Sequence, residues 1–143
     1  MEGGVAVSAL RITALTVRRG TRTIVDHVSL RVDPGHILAL MGLSGSGKTT
    51  ILRAVAGLEA FEGVIGMDGK PGMVFQSHAL FDHLSALDNV RLAPIHVQHA
   101  PEADATRRGE ALLAELGVAH RAHAWPRELS GGEAQRVAIA RAL

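Results

Sequence analysis

The sequence predicts an α/β fold, and three observations carry that expectation. Residues 10–32 alternate apolar and polar side chains, as half-buried strands do. The short apolar run His36–Met41 leads through a glycine-rich loop into a segment of helical pattern. Beyond Gln76 the periodicity becomes helical.

Leu10–Val17 and Thr23–Val32 read as two strands, and Arg18-Arg19-Gly20-Thr21 between them as the turn of an antiparallel hairpin. Asp33-Pro34-Gly35 breaks the chain. His36–Met41 is nearly continuous in apolar residues, which suits a strand buried on both faces of a parallel sheet. Lys48–Ala56 reads as a helix with Gly57 as its left-handed stop. Val64–Met67 and Met73–Phe75 read as short strands around the turn cluster Asp68–Gly72. Ser85–Leu92 and Glu102–Leu116 are helical in pattern, broken by Pro94 and Pro101 and closed by Gly117. Ser130–Leu143 completes the chain as a helix with Val137, Ile139, Ala140 and Leu143 on its apolar side. The expected division is a β-subdomain and loop core over about residues 1–76, a helical subdomain over about 77–129, and a last helix over 130–143.

Composition bounds the function. The 143 residues amount to one domain, and 47% apolar content is ample for a core. A formal charge of +1 with both signs interspersed gives no nucleic-acid footprint. There is no cysteine, hence no thiolate metal site. Met1–Leu10 lacks the long apolar stretch of an export signal, so cytoplasmic residence is expected. The apolar run Ile37–Met41 is far short of the roughly 20 residues that cross a bilayer, so membrane work falls to a partner. Only Lys48 and Lys70 among the 15 basic residues are lysines.

Gly42-Leu43-Ser44-Gly45-Ser46-Gly47-Lys48-Thr49 fits G-x-x-x-x-G-K-[ST], the Walker A pattern. A triphosphate concentrates negative charge, and successive backbone N–H groups can point at it only where side chains do not intervene. Gly42, Gly45 and Gly47 meet that demand. Lys48 reaches the outer phosphates as a point charge, and the Thr49 hydroxyl is placed to ligate Mg²⁺. The bland alternative is a flexible Gly/Ser loop that happens to hold a lysine.

Leu129-Ser130-Gly131-Gly132-Glu133 is a second glycine-rich turn opening onto a helix. Ser130 with Glu133 is also the capping box S-x-x-E, so its bland reading is a well-started helix. Two adjacent glycines at a helix start each cost up to about 1 kcal/mol relative to alanine, a cost that bare amides facing an anion would justify.

The order of a P-loop at Gly42–Thr49, Gln76 after a short strand, and LSGGE followed by Gln135-Arg136 and Arg141-Ala142-Leu143 resembles the nucleotide-binding subunits of ATP-binding cassette (ABC) transporters. The resemblance covers nearly the whole chain, and LSGGE is its most specific part. It implies a P-loop NTPase core with an antiparallel β-subdomain and an inserted helical subdomain. It also implies ATP and Mg²⁺ as ligands, held at Gly42–Thr49 and Thr50, with Thr49 and Gln76 on the metal and Gln76 sensing metal and attacking water. Leu129, Ser130, Gly131, Gly132 and Glu133 would act in trans, closing over the γ-phosphate held by a second ATPase subunit in a head-to-tail dimer. The segment after Gln76 would meet a transmembrane permease subunit, making the protein peripheral on the inner face of the plasma membrane. FQSHALFDHLSALDNVRLAPIHV over 75–97 is most similar in texture to ATPases of polar amino-acid importers.

The sequence departs from that family in three places. The family stacks adenine on an aromatic early in the hairpin; this chain has no tyrosine, and Arg19 stands there, implying a guanidinium platform with weaker purine selectivity. Lys48 and Gln76 lie unusually close, implying a trimmed β-subdomain around Asp68–Gly72. Leu143 ends the last helix, so the expected core is truncated before the catalytic strand, without the family's aspartate, glutamate and switch histidine. Ser85-Ala86-Leu87-Asp88 looks like a later family loop but precedes the signature, and reads as a helix cap. His96 with His99 and His120 with His123 read as solvated histidines rather than zinc ligands, and Trp125 as packing under the loop that leads to Leu129. The rival reading is a non-hydrolysing nucleotide-binding or pairing module. A chromosome-maintenance ATPase is disfavoured because no long heptad insertion separates Gln76 from Ser130, and a P-loop kinase by LSGGE.

Overall fold

The computed structural model describes residues 9–143, so most of the Met1–Leu10 segment read for an export signal lies outside the described residues. The chain divides into two compact units, one reaching Pro71 and one spanning Gly72–Leu143.

In the first unit β1 (Leu10–Arg19) and β2 (Arg22–Val32) form the expected hairpin, and β3 (Glu62–Met67) pairs with the other edge of β1, giving an antiparallel sheet of order β2-β1-β3. Strict alternation along β1 would point Ile12 and Leu15 to opposite faces. A register shift between them reverses the phase, with Ile12 opposite Leu30 but Leu15 opposite Val28. The amides freed at the irregularity are taken by hydroxyls: Ala14 donates to Ser29 Oγ (2.9 Å) and His27 to Thr16 Oγ1 (3.1 Å). Ile12, Leu15, Val17 and Val25 then share one core, which Ile51 and Ala54 of α1 (Lys48–Val55) complete. Gly57 ends α1 as read: its N–H reaches Ala54 O (3.0 Å) and that of Leu58 reaches Arg53 O (2.8 Å), the paired bonds of a Schellman stop.

Two predicted strands do not form. His36–Met41 and Met73–Phe75 are irregular, and among the described residues no strand pairs with either. A β-strand is defined by a neighbour's hydrogen-bonding groups, and the described chain lays none alongside; Ile37 is 97% and Met41 91% exposed. The described sheet is therefore antiparallel throughout.

In the second unit α2 (Ala86–His96), α3 (Glu102–Glu115) and α4 (Gly131–Ala142) enclose a core of Leu87, Val90, Leu113, Val118, Val137 and Ala140. Ser85 caps α2 as read, its Oγ accepting from Asp88 N (3.1 Å). The expected break at Pro94 is corrected: α2 continues to His96. Proline fits helical φ but removes the hydrogen bond to the Val90 carbonyl and crowds that carbonyl, and α2 ends two residues later. Gly117 closes α3 with the same paired bonds as Gly57, to Ala114 O and, through Val118, Leu113 O. Trp125 is not packed away as expected; it remains 42% exposed. His96, His99, His120 and His123 are exposed, and among the described residues no cluster of three or more His, Cys, Asp or Glu could hold a metal. No described helix is long and apolar enough to cross a membrane.

Candidate functional site

The first unit carries the glycine loop. Ser46 N–H bonds back to Leu43 O (3.2 Å), forming the turn, and α1 begins at once, Ile51 N–H reaching Gly47 O (2.9 Å). Gly47 is the hinge: it is buried, has φ +91°, and a Cβ there would lie 3.0 Å from Ile24 O and 3.1 Å from Val25 Cγ2. The loop therefore seats on β2 only because residue 47 lacks a side chain. A glycine N-cap also leaves the first amides of α1 with no side-chain partner, open to an anion. Gly42 and Gly45 have positive φ as well, and nothing lies within 4 Å of a Cβ built at Gly45.

Lys48 stands at the first position of α1 and curls over the loop, its Nζ donating to Gly42 O (2.8 Å), Leu43 O (2.8 Å) and Ser46 Oγ (3.3 Å). The ammonium is thus held inside the loop, at the start of a helix whose first turn lacks a side-chain cap. Thr49 is exposed beside it, whereas Thr50 is 7% exposed and faces inward.

Arg19 ends β1, opposite Arg22. Its Nε and Nη2 donate to Glu59 Oε1 and Oε2, both at 3.0 Å, and Glu59 Oε2 also accepts from Arg53 Nε (3.1 Å). The Arg19 hydrogen bond, followed by Arg53, holds the Glu59 carboxyl below its ordinary pKa against the opposing effect of desolvation. The edge of the guanidinium is committed to Glu59. Sequence reading missed Glu59, which is 40 residues from Arg19 and carries no local signal for the pairing.

The second unit carries the other motif. Ser130 caps α4, its Oγ accepting from Glu133 N (3.3 Å) while Glu133 Oε2 accepts from Ser130 N (2.7 Å). The backbone and hydroxyl hydrogen bonds from Ser130 hold the Glu133 carboxyl below its ordinary pKa, with desolvation opposing and Arg121 and His120 contributing further. Arg121 Nε and His120 Nε2 each lie 3.4 Å from Glu133 Oε1. Gly131 and Gly132 are exposed, and Leu129 anchors the turn against the helical core. Gln76 is exposed in a turn of the same unit, followed by His78 and Ala79 at φ +60° and +50°. The residues expected to bear on Mg²⁺ lie one in each unit, and both the Thr49 hydroxyl and the Gln76 amide are neutral and exposed.

The sequence pattern of the family described as ABC transporter matches residues 25–143. The glutamine transport ATP-binding protein GlnQ of Escherichia coli (strain K12) is 41% identical over 140 residues, covering 87% of this chain and 58% of GlnQ. The aliphatic sulfonates import ATP-binding protein SsuB 2 of Rhodococcus jostii (strain RHA1) is 43% identical, over 95% of this chain and 54% of SsuB 2. The glutamate transport ATP-binding protein GluA of Corynebacterium glutamicum is 39% identical, over 94% of this chain and 62% of GluA. The chain thus spans little more than half the length of these curated relatives. With the family pattern running from Val25 through the loop, Gln76 and the signature to Leu143, the chain belongs to the ABC transporter family.

Proposed function

We propose that this chain carries the ATP-binding part of the ATPase subunit of an ABC importer. The observation that carries the reading is the loop at Gly42–Lys48: an ammonium held 2.8 Å from two loop carbonyls, at the start of a helix whose first amides lack a side-chain cap. In this reading the division into residues 1–76, 77–129 and 130–143 follows the ATPase plan.

The residues take distinct roles. The amides of residues 43–49 wrap the phosphates, Lys48 leaves its carbonyl partners for the outer phosphate oxygens, and Thr50 anchors the first turn of α1 in the core. Thr49 and Gln76 would hold Mg²⁺, which neutralises phosphate charge when bound. Arg19 offers a guanidinium face to the base. Leu129 and Glu133 brace the turn that presents Ser130, Gly131 and Gly132 to nucleotide on a second ATPase subunit, so that ATP joins the two and its hydrolysis by the whole protein releases them. The segment after Gln76 docks on a transmembrane permease, which places the protein on the cytoplasmic face of the membrane.

Polar amino-acid uptake is the finer proposal, supported by the texture of residues 75–97 and by relatives named for glutamine and glutamate transport. The sulfonate-import relatives widen the solute class to small polar or anionic molecules.

Titration of the chain with a fluorescent ATP analogue tests the nucleotide reading. Replacing Lys48 by alanine removes charge-assisted hydrogen bonds of about 1.5–3 kcal/mol, so affinity falls roughly tenfold to a hundredfold. Unchanged affinity in Lys48→Ala overturns the reading.

A further inference from the structure

We propose that Arg141 is a positioning residue for Gln76, fastening the segment that carries it to the helix that begins at the signature turn. The inference rests on the reading of Gln76 as the metal-sensing residue and adds the element that sets it.

Arg141 lies in the last turn of α4, 62 and 63 residues from the carbonyls it grips: Nη1 donates to Ala79 O (2.6 Å) and Nη2 to His78 O (3.1 Å). Its guanidinium also lies over the Phe81 ring, 5.7 Å from the centroid. His78 and Ala79 are both left-handed although neither is glycine, a conformation that persists only where surrounding contacts impose it. Two parallel donors from one planar fork do that, and a lysine cannot reproduce the geometry. On the other side of Gln76, Gly72 abuts the same helix end, where a Cβ would collide with the Ala142 carbonyl. Gln76 therefore sits on a bridge of chain supported at both ends by the last turn of α4.

Buried Asn89 fixes the downstream continuation, its Oδ1 accepting from Phe81 N (2.8 Å). The far end of α4 carries Ser130, Gly131 and Gly132. A regular helix of 12 residues spans about 18 Å as one rigid body, so a tilt of the signature turn moves the Gln76 bridge with it. Arg141 is the fastener in that linkage.

The test uses the whole chain with two readouts. Amide hydrogen exchange reports the bridge itself: in Arg141→Met, protection at residues 78–81 falls by about tenfold while the core of α3 keeps its protection. The ratio of ATP-analogue affinity with Mg²⁺ to that with EDTA reports Gln76: it falls about fivefold in Arg141→Met, to a similar level in Gln76→Ala, and no further in the double variant. Arg141→Lys, which keeps stem and charge but loses the fork, behaves like Arg141→Met and carries the test should the methionine variant fail to fold. A magnesium ratio equal to wild type in both Arg141 variants, with Lys48→Ala weakened, overturns this inference alone. Unweakened binding in Lys48→Ala overturns the nucleotide reading and this inference with it.

Discussion

Arg19 and Glu59 meet edge to edge through two parallel hydrogen bonds of 3.0 Å, and Glu59 accepts a third from Arg53 at 3.1 Å. The carboxylate thereby ties the end of β1 to the last turn of α1. Its folded pKa lies below the ordinary carboxylate value of about 4.3, with Arg19 as the main cause. A depressed acid contributes stability that is complete above the ordinary value and is lost as pH falls through the folded value. Glu59→Gln should therefore unfold more easily than wild type at neutral pH, and the difference should shrink on acidification. Urea midpoints at pH 7 and below pH 4 check the sign; a gap that widens in acid would contradict the assignment.

Gly63 and Ala14 are in closer backbone approach than any side chain permits. Gly63 has φ +105°, and a Cβ there would lie 2.5 Å from Ala14 O and 2.7 Å from Thr13 O, beside the irregularity that brings Leu15 into the core. Gly63→Ala must separate β3 from β1 or flatten that irregularity, and strain of this kind costs about 2 kcal/mol or more. Thermal unfolding of the variant should show a loss of several degrees, whereas Gly66→Ala on the same strand, with nothing within 4 Å of its Cβ, should change little.

Features encoded locally were legible in the sequence. Ser85 and Ser130 as caps, Gly57 and Gly117 as stops, and the turn at Gly20-Thr21 depend on residues within one turn of the chain. His36–Met41 and Met73–Phe75 were not legible, because apolar content makes a segment fit for a strand while only a neighbour makes it one. The loop and signature could be read as motifs, since their chemistry lies in consecutive residues. Glu59, Asn89 and Arg141 could not: each acts on groups that the fold, rather than the sequence, brings near.

Asn89 is fully buried and spends its whole side chain on the approach to α2. Oδ1 accepts from Phe81 N (2.8 Å), and Nδ2 donates to the carbonyls of Phe81 (3.2 Å), Leu84 (3.2 Å) and Ser85 (3.0 Å). Asn89→Ala would leave a backbone N–H and carbonyls unpaired around a small void, at a cost of about 2–4 kcal/mol. Chemical denaturation should register that loss. Asn89→Asp, which keeps the acceptor for Phe81 N but turns a negative oxygen toward three carbonyls, should be at least as damaging.

The two glycines of the signature turn separate a capping role from an anion-binding one. Ser130 and Glu133 already complete a reciprocal cap, so α4 does not need Gly131 for its stability. Gly131 is exposed, within helix, and has nothing within 4 Å of a Cβ position. On capping grounds alone Gly131→Ala should therefore stabilise the chain by up to about 1 kcal/mol. If the bare amide serves a phosphate on a second subunit, the same methyl stands in the way, and ATP-dependent association with an intact ATPase subunit should weaken. Ser130→Asp supplies the complementary arm: aspartate keeps an N-cap acceptor but loses the hydroxyl's bond to Glu133 and sets two carboxylates side by side, so a loss of about 1 kcal/mol is expected alongside repulsion of the phosphate. Both variants folded but impaired in pairing is the expected outcome, read by denaturation and by sedimentation with and without ATP. Pairing at wild-type strength in both would leave the turn as a helix cap and nothing more.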